Sequence, residues 1–322
     1  VAAAMLTLLS GCNERQSMFA TFGLTAERVA ALTIFMVVAG ALIFIAVMAL
    51  SRHAIRAPEN AISHTQGMRM VLWLGGIVPA VSLLALLIAS LPLMRPLPVT
   101  AADLVVAVEG EQFWWRVRYP GPNGGAPVET ANQIRVPVGQ TVELRLTGAD
   151  VVHSFWVPGL AGKMDMIPGR ENRLVVRATE AGKYRGQCTE FCGLSHALMA
   201  FDVVAMEPAA FNRWLAAEAR PAATQAAPGA ALFEQYGCAA CHAVRGTAAV
   251  ARIGPDLTHF GARATAAAGI LPMERQAVAR FIRDAGDVKP GARMPTYAHM
   301  SAADSLQIAD WLIGLRPTET RP

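Results

Sequence analysis

The sequence is short of charge, poor in cysteine and free of charge blocks, and each shortage excludes something. Only 16% of its 322 residues are Asp, Glu, Lys or Arg, against 53% hydrophobic. A disordered or collagen-like chain does not have that balance, whereas a chain partly solvated by lipid does. The net charge is +4, but the basic residues are scattered and form no run, so there is no electrostatic footprint for nucleic acid. Five cysteines are too few for a disulfide scaffold, and each has to be placed individually. No internal repeat is visible. The length suggests at least two domains at about 150 residues each.

Two stretches lack charge altogether. One covers 29–51 between Arg28 and Arg52, the other 70–94 between Arg69 and Arg95. Each exceeds the ~20 apolar residues that cross a hydrocarbon core, so two transmembrane helices are expected. Gly75, Gly76 and Pro79 predict a bend in the second, which a span tolerates. The connecting loop holds Arg52, Arg56 and Arg69 against Glu59, which places it in the cytoplasm and both termini outside. Leu9-Ser10-Gly11-Cys12 looks like a bacterial lipoprotein cleavage box, implying removal of 1–11 and a lipid on the Cys12 sulfur. A basic n-region is missing, so a free cysteine stays open as the alternative. The hairpin is then 12–94.

Beyond it, 103–206 reads as short strands between Gly and Pro turns, as in a β-sandwich or barrel. In 141–147 the apolar residues alternate, giving one core face and one wet face. Strand-like runs recur at 104–108, 113–119, 151–157, 174–177 and 201–205. A helix is expected over 207–220, inside a linker region 207–229 that ends in the Ala/Pro-rich 221–229. From 230 to 317 the period becomes helical. Helices are expected at 274–284 and after Ser301, whose spacing to Asp304 resembles a capping box. Leu306, Ala309, Leu312 and Ile313 share one face of the latter.

The densest chemistry is Cys188-Thr189-Glu190-Phe191-Cys192-Gly193-Leu194-Ser195-His196-Ala197-Leu198-Met199, with His153 far upstream. Thiolates, imidazoles and a weak thioether together suit copper in electron-transfer service. A mononuclear site needs one cysteine. Two so close can bridge two coppers, each keeping one imidazole and one weak ligand. Structural zinc is the bland alternative, although zinc sites seldom include Met, and a Cys188–Cys192 disulfide is another.

At these residues the sequence resembles cytochrome c oxidase subunit 2, from the hairpin through Met206. The likeness is densest over His153-Ser154-Phe155-Trp156-Val157-Pro158, Gly162-Lys163-Met164-Asp165, Ile167-Pro168-Gly169-Arg170 and the Cys188–Met199 loop. The resemblance implies a cupredoxin barrel holding the dinuclear CuA centre. It implies His153, Cys188, Cys192, His196 and Met199 as side-chain ligands and Glu190 through its carbonyl. The Glu190 carboxylate would face a magnesium ion shared with subunit 1. Two features depart from the family. Phe113 stands where an entry Trp for electrons from soluble cytochrome c is usual, at the head of Phe113-Trp114-Trp115. Read from the residues alone, that run is packing rather than an electron path. Also, no acid lies between Glu59 and Asp103, so no proton-channel role is assigned to the second span.

Cys238-Ala239-Ala240-Cys241-His242 is the c-type haem attachment pattern: two thiols for the vinyl groups and His242 for the iron. Met294, in Lys289-Pro290-Gly291-Ala292-Arg293-Met294-Pro295, is the candidate distal ligand, with Met273 and Met300 as fallbacks. A thioredoxin-like pair or half a zinc site are the alternatives. His259 is a propionate contact or a surface histidine. The segment resembles a class I cytochrome c domain. The cysteines then divide into one for lipid, two for copper and two for haem.

The expected whole is a multi-domain membrane protein: a two-helix hairpin, an all-β cupredoxin domain and an all-α cytochrome c domain. It looks like the caa-type branch of subunit 2 in the bacterial inner membrane, with both redox domains on the periplasmic side. The resemblance implies electrons passing from an external donor, a cytochrome c or another, through haem c and two coppers to subunit 1. There, among further membrane subunits, oxygen becomes water in a proton-translocating complex. A nitric oxide reductase subunit and a standalone electron-transfer module are the alternatives.

Overall fold

The computed structural model describes residues 13–58, 61–94, 102–223 and 227–317. Cys12 and its cleavage box lie outside the described residues. The chain divides into two units, residues 27–97 and residues 1–26 with 98–322.

The first unit is helical. Helix α1 (Leu24–Arg56) runs 33 residues, past both ends of the charge-free stretch. The second begins as α2 (His64–Met70), passes through a π-helical turn (Val71–Ile77) and continues as α3 (Val78–Ser90). Both are longer than 29–51 and 70–94, because an apolar run measures lipid contact while capping decides where a helix starts. Ser63 supplies that cap: its hydroxyl accepts from Gln66 N–H at 3.3 Å, and Gln66 Oε1 accepts from Ser63 N–H at 2.9 Å. The π turn contains Gly75 and Gly76 and ends two residues before Pro79, whose ring cannot donate to the preceding turn. Both helices are long and apolar enough to cross a membrane.

In the second unit, two five-stranded sheets face each other. The strands are β1 (Leu104–Glu111), β2 (Trp114–Tyr119), β3 (Val128–Ala131), β4 (Gln133–Pro137), β5 (Val142–Gly148), β6 (His153–Trp156), β7 (Met164–Met166), β8 (Asn172–Val176), β9 (Gly182–Cys188) and β10 (Ala200–Met206). One sheet runs β3-β2-β1-β5-β8 and the other β4-β10-β9-β6-β7. The β1 and β5 strands pair in parallel, as do β4 and β10. Strict alternation along β1 buries Leu104, Val106 and Val108. They meet Trp115, Phe155, Phe201 and Val203 in one apolar core between the sheets. On β5 the alternation has an exception: Glu143 is also buried, held by Arg145 at 3.0 Å and Arg173 at 3.6 Å.

Helix α4 (Pro208–Glu218) occupies the first half of the expected linker region and is not loose. Its Phe211 and Leu215 belong to the β-domain core, and Trp214 meets Tyr119 edge-on at 5.1 Å. The C-terminal domain carries α5 (Pro228–Gln235), α6 (Arg275–Arg283), the short α7 (Ala285–Val288) and α8 (Ala302–Gly314). Phe233, Val278, Ile282, Ile308, Trp311 and Leu312 form its core. Ser301 caps α8, its hydroxyl accepting from Asp304 N–H at 3.0 Å. The reciprocal half of the expected capping box is absent, because the Asp304 carboxylate instead accepts from Tyr236 Oη–H at 2.8 Å.

Candidate metal centre and haem pocket

At one end of the β-domain, β6 supplies His153, the end of β9 supplies Cys188, and the loop into β10 supplies the rest. The antiparallel pairing of β6 with β9 sets Phe155 opposite Cys188, which brings His153 alongside the loop. Cys188 Sγ lies 3.8 Å from Cys192 Sγ, 3.9 Å from His153 Nδ1 and 3.3 Å from the Glu190 carbonyl oxygen. Cys192 Sγ lies 3.7 Å from His196 Nδ1 and 3.9 Å from Met199 Sδ. All six residues named from the sequence therefore meet at one place, with one imidazole beside each sulfur. His153, Cys188 and Cys192 form a cluster able to hold a metal ion. The hydrogen bond from Cys192 draws the Cys188 thiol well below the usual thiol range, and the same contact pushes Cys192 upward. Two sulfurs, two imidazoles, a thioether and a carbonyl form a soft, closely spaced donor set that fits copper. Glu190 turns its carboxylate outward, 46% exposed, with Oε2 4.0 Å from Lys163 Nζ.

Sequence reasoning missed the group behind His153. Asp150 Oδ1 stands 2.9 Å from His153 Nε2, fixing the ring so that Nδ1 faces the sulfurs. Burial opposes ionisation of Asp150, but Gln112 N–H, His153 and Val151 N–H outweigh it and hold its carboxyl below the usual carboxylate range. A lone acid in a loop has no period that would reveal it.

The helical domain folds around a cavity of about 330 Å³ lined by Cys238, Cys241, His242 and Met294 among apolar side chains. Met300 instead lies buried in the core and Met273 packs against it, so neither fallback lines the cavity. His242 Nδ1 is 2.8 Å from the Pro255 carbonyl, which leaves Nε2 free to point at a metal. Burial holds this imidazole below its ordinary value, keeping it neutral. A Cβ on Gly254 would come within 2.6 Å of the His242 ring, so only glycine fits beside it. Arg263 also lines the cavity, buried, with its Nε unpaired among the described residues. A large planar group with two thiol attachments, one imidazole, one thioether and an anionic edge fits these walls. His259 is not there. It is 2% exposed, inside the interface with α4, and its Nδ1 is 3.4 Å from Glu218 Oε1.

The two sites share a wall. Glu111, Gln112, Phe113, Trp114 and Asn132 of the β-domain line the same cavity. Phe113 is buried between the copper-type loop and the Met294 loop. A Cβ on Gly193 would lie 3.1 Å from its ring, and one on Gly291 3.3 Å away. Trp115 is deeper, in the β-domain core against Phe155 and Phe201. Ser195 Oγ joins the two loops by donating to Pro290 O at 2.6 Å, and Ala200 N–H, at the start of β10, donates to Ala268 O of the C-terminal domain at 3.0 Å.

Residues 121–206 match the family described as cytochrome C oxidase subunit II, periplasmic domain, and residues 226–316 match cytochrome c. Cytochrome c oxidase subunit 2 of Alkalihalophilus pseudofirmus is 40% identical over 219 residues, 66% of this chain and 62% of that protein. The Bacillus subtilis protein of the same name is 34% identical over 227 residues, with the same two coverages. The chain thus spans 62% of the length of these curated relatives. The solved periplasmic domain of cytochrome oxidase subunit II from Bradyrhizobium japonicum is 34% identical, with 37% of this chain and 94% of that one covered at a TM-score of 0.34. Behind two apolar helices the chain therefore carries a two-sheet periplasmic domain of the cytochrome c oxidase subunit II family and, fused after it, a cytochrome c domain.

Proposed function

We propose that this chain is the electron-transfer subunit of a haem-copper terminal oxidase, anchored as a two-span protein in the bacterial inner membrane. It takes electrons from an external donor at its haem domain, passes them to its copper domain and delivers them to subunit 1. Oxygen reduction and proton translocation belong to that partner. The observation that carries this reading is the shared wall: the six-residue donor cluster and the Cys238/Cys241/His242/Met294 cavity meet across Phe113 and Gln112.

When bound, two coppers and one covalent haem c supply reversible one-electron chemistry with little structural change. The chain's residues have four tasks. Cys188 and Cys192 would hold two coppers through their thiolates, and His153, His196, Met199 and the Glu190 carbonyl would complete the set. Cys238 and Cys241 would carry the porphyrin, His242 and Met294 would hold its iron, and Arg263 would meet an anionic group on it. Phe113 and Trp114 exclude water from the gap between the sites. The Glu190 carboxylate takes part in a magnesium site at the contact with subunit 1.

Metal and haem analysis of the purified chain, with optical and EPR spectra in both redox states, tests this. Two coppers and one covalent haem per chain are expected. Zinc, a single copper or no porphyrin overturns the reading.

A further inference from the structure

The corner where the two loops meet holds polar groups that none of these tasks uses. Arg293, the residue before Met294, reaches out of its own domain. Its Nη2 lies 2.9 Å from Asp150 Oδ2 and 3.4 Å from Gln112 Oε1. Both acceptors are already engaged with the metal centre. Asp150 holds His153 through its other oxygen, and Gln112 Nε2 donates to the Cys192 carbonyl at 2.6 Å. One guanidinium thus stands a single hydrogen bond away from two residues of the copper site while its neighbour in sequence faces the haem pocket.

Building on the proposed function, we propose that Arg293 is a positioning residue that seats the Met294 loop on the copper site and sets the electron donation of His153. The energetics favour position over stability. The Arg293 side chain is 63% exposed, and an ion pair that open adds little to stability. Both contacts leave one nitrogen, Nη2, at the rim of a rigid guanidinium plane, where a lysine would bring a freely rotating ammonium on a more flexible stem. The charge also acts on the metal site. Asp150 is only 12% exposed and shares its carboxylate between Arg293 and His153. A carboxylate relieved of Arg293 polarises the imidazole more, raises its basicity and stabilises the oxidised metal pair. Arg293 therefore holds the copper potential up while it holds the loops together.

The test uses the full chain with both cofactors and the variants Arg293→Gln and Arg293→Lys. A flash photoreductant delivers one electron to the haem, and internal transfer to copper is followed optically. Arg293→Gln is expected to slow that transfer about tenfold, since small misplacements at a reacting pair are costly. It should also lower the copper reduction potential and shift the copper EPR signal, with both absorption bands retained. Arg293→Lys should keep most of the potential and recover only part of the rate. Amide exchange in copper-free protein should quicken at 192–196 and 289–295 in Arg293→Gln. An unchanged transfer rate, potential and exchange pattern overturns the assignment to Arg293 alone. An unsubstituted chain that binds both cofactors yet passes no electron between them overturns the functional reading, and the role of Arg293 with it.

Discussion

In the copper domain, six candidate ligands from one strand, one strand end and one loop already lie within 3.9 Å of a neighbouring donor. In the haem domain, Cys238, Cys241, His242 and Met294 are spread around a cavity of about 330 Å³, and the apolar core forms its walls. The first arrangement rests on two sheets packed face to face, and their core is closed by protein side chains that include the ligands Cys188, Cys192 and Met199. The second lines its cavity with core residues such as Phe233, Val278, Ile282 and Leu312, so a haem bound there would complete the core. A β-sandwich can preorganise a small metal site, whereas a four-helix shell of this size depends on its prosthetic group.

Four measurements would break or sharpen that contrast. The largest effect belongs to the double change Cys238→Ser with Cys241→Ser. It should abolish covalent haem and destabilise 227–317 broadly, seen as fast amide exchange there, while the copper spectrum survives. Loss of both domains together would show that the copper domain is not self-sufficient. Next, Cys192→Ser should abolish the two-copper centre and leave the haem spectrum intact; two coppers per chain in that variant would refute the bridging role. Met294→Ala is milder. Haem should stay attached but move toward high spin, and an unchanged spectrum would eliminate Met294 as a ligand.

The smallest effect concerns the junction. Glu218 on α4 is buried beside His259, and although burial opposes its ionisation, His259, Arg263 and Arg245 hold its carboxyl below the ordinary value. A depressed carboxylate stabilises the fold above the unfolded value of about 4.3, and that gain disappears as pH falls through the lower folded value. Glu218→Gln should therefore cost on the order of 3 kcal/mol near neutrality, as for a broken buried pair, with the difference from the parent shrinking in acid. Equal stability curves across pH would remove Glu218 from the account.

Much of this was legible in the sequence, for identifiable reasons. Charge-free runs marked both long apolar helices, alternation marked β1 and β5, and the capping serine at 301 marked α8. The strand β9 (GKYRGQC) was not legible, because its ladder bonds to β10 and β6 require no apolar alternation. Ligand residues could be named because soft donors at short spacing are rare. Asp150, Ser195 and the reach of Arg293 could not, since each depends on loops brought together by packing far along the chain. His259 misled in the same way. Its neighbours in sequence say nothing of α4, which buries it.

The bond from Ala200 N–H to Ala268 O has a kinetic meaning. It ties the residue after Met199 to the opposite domain by main chain alone, so the two halves resemble a donor and acceptor caught permanently in their encounter complex. Freely diffusing pairs must bind well enough to react and loosely enough to part, and release often limits turnover. On the proposed route, with the partner stitched in place, that compromise would apply only where an external donor arrives.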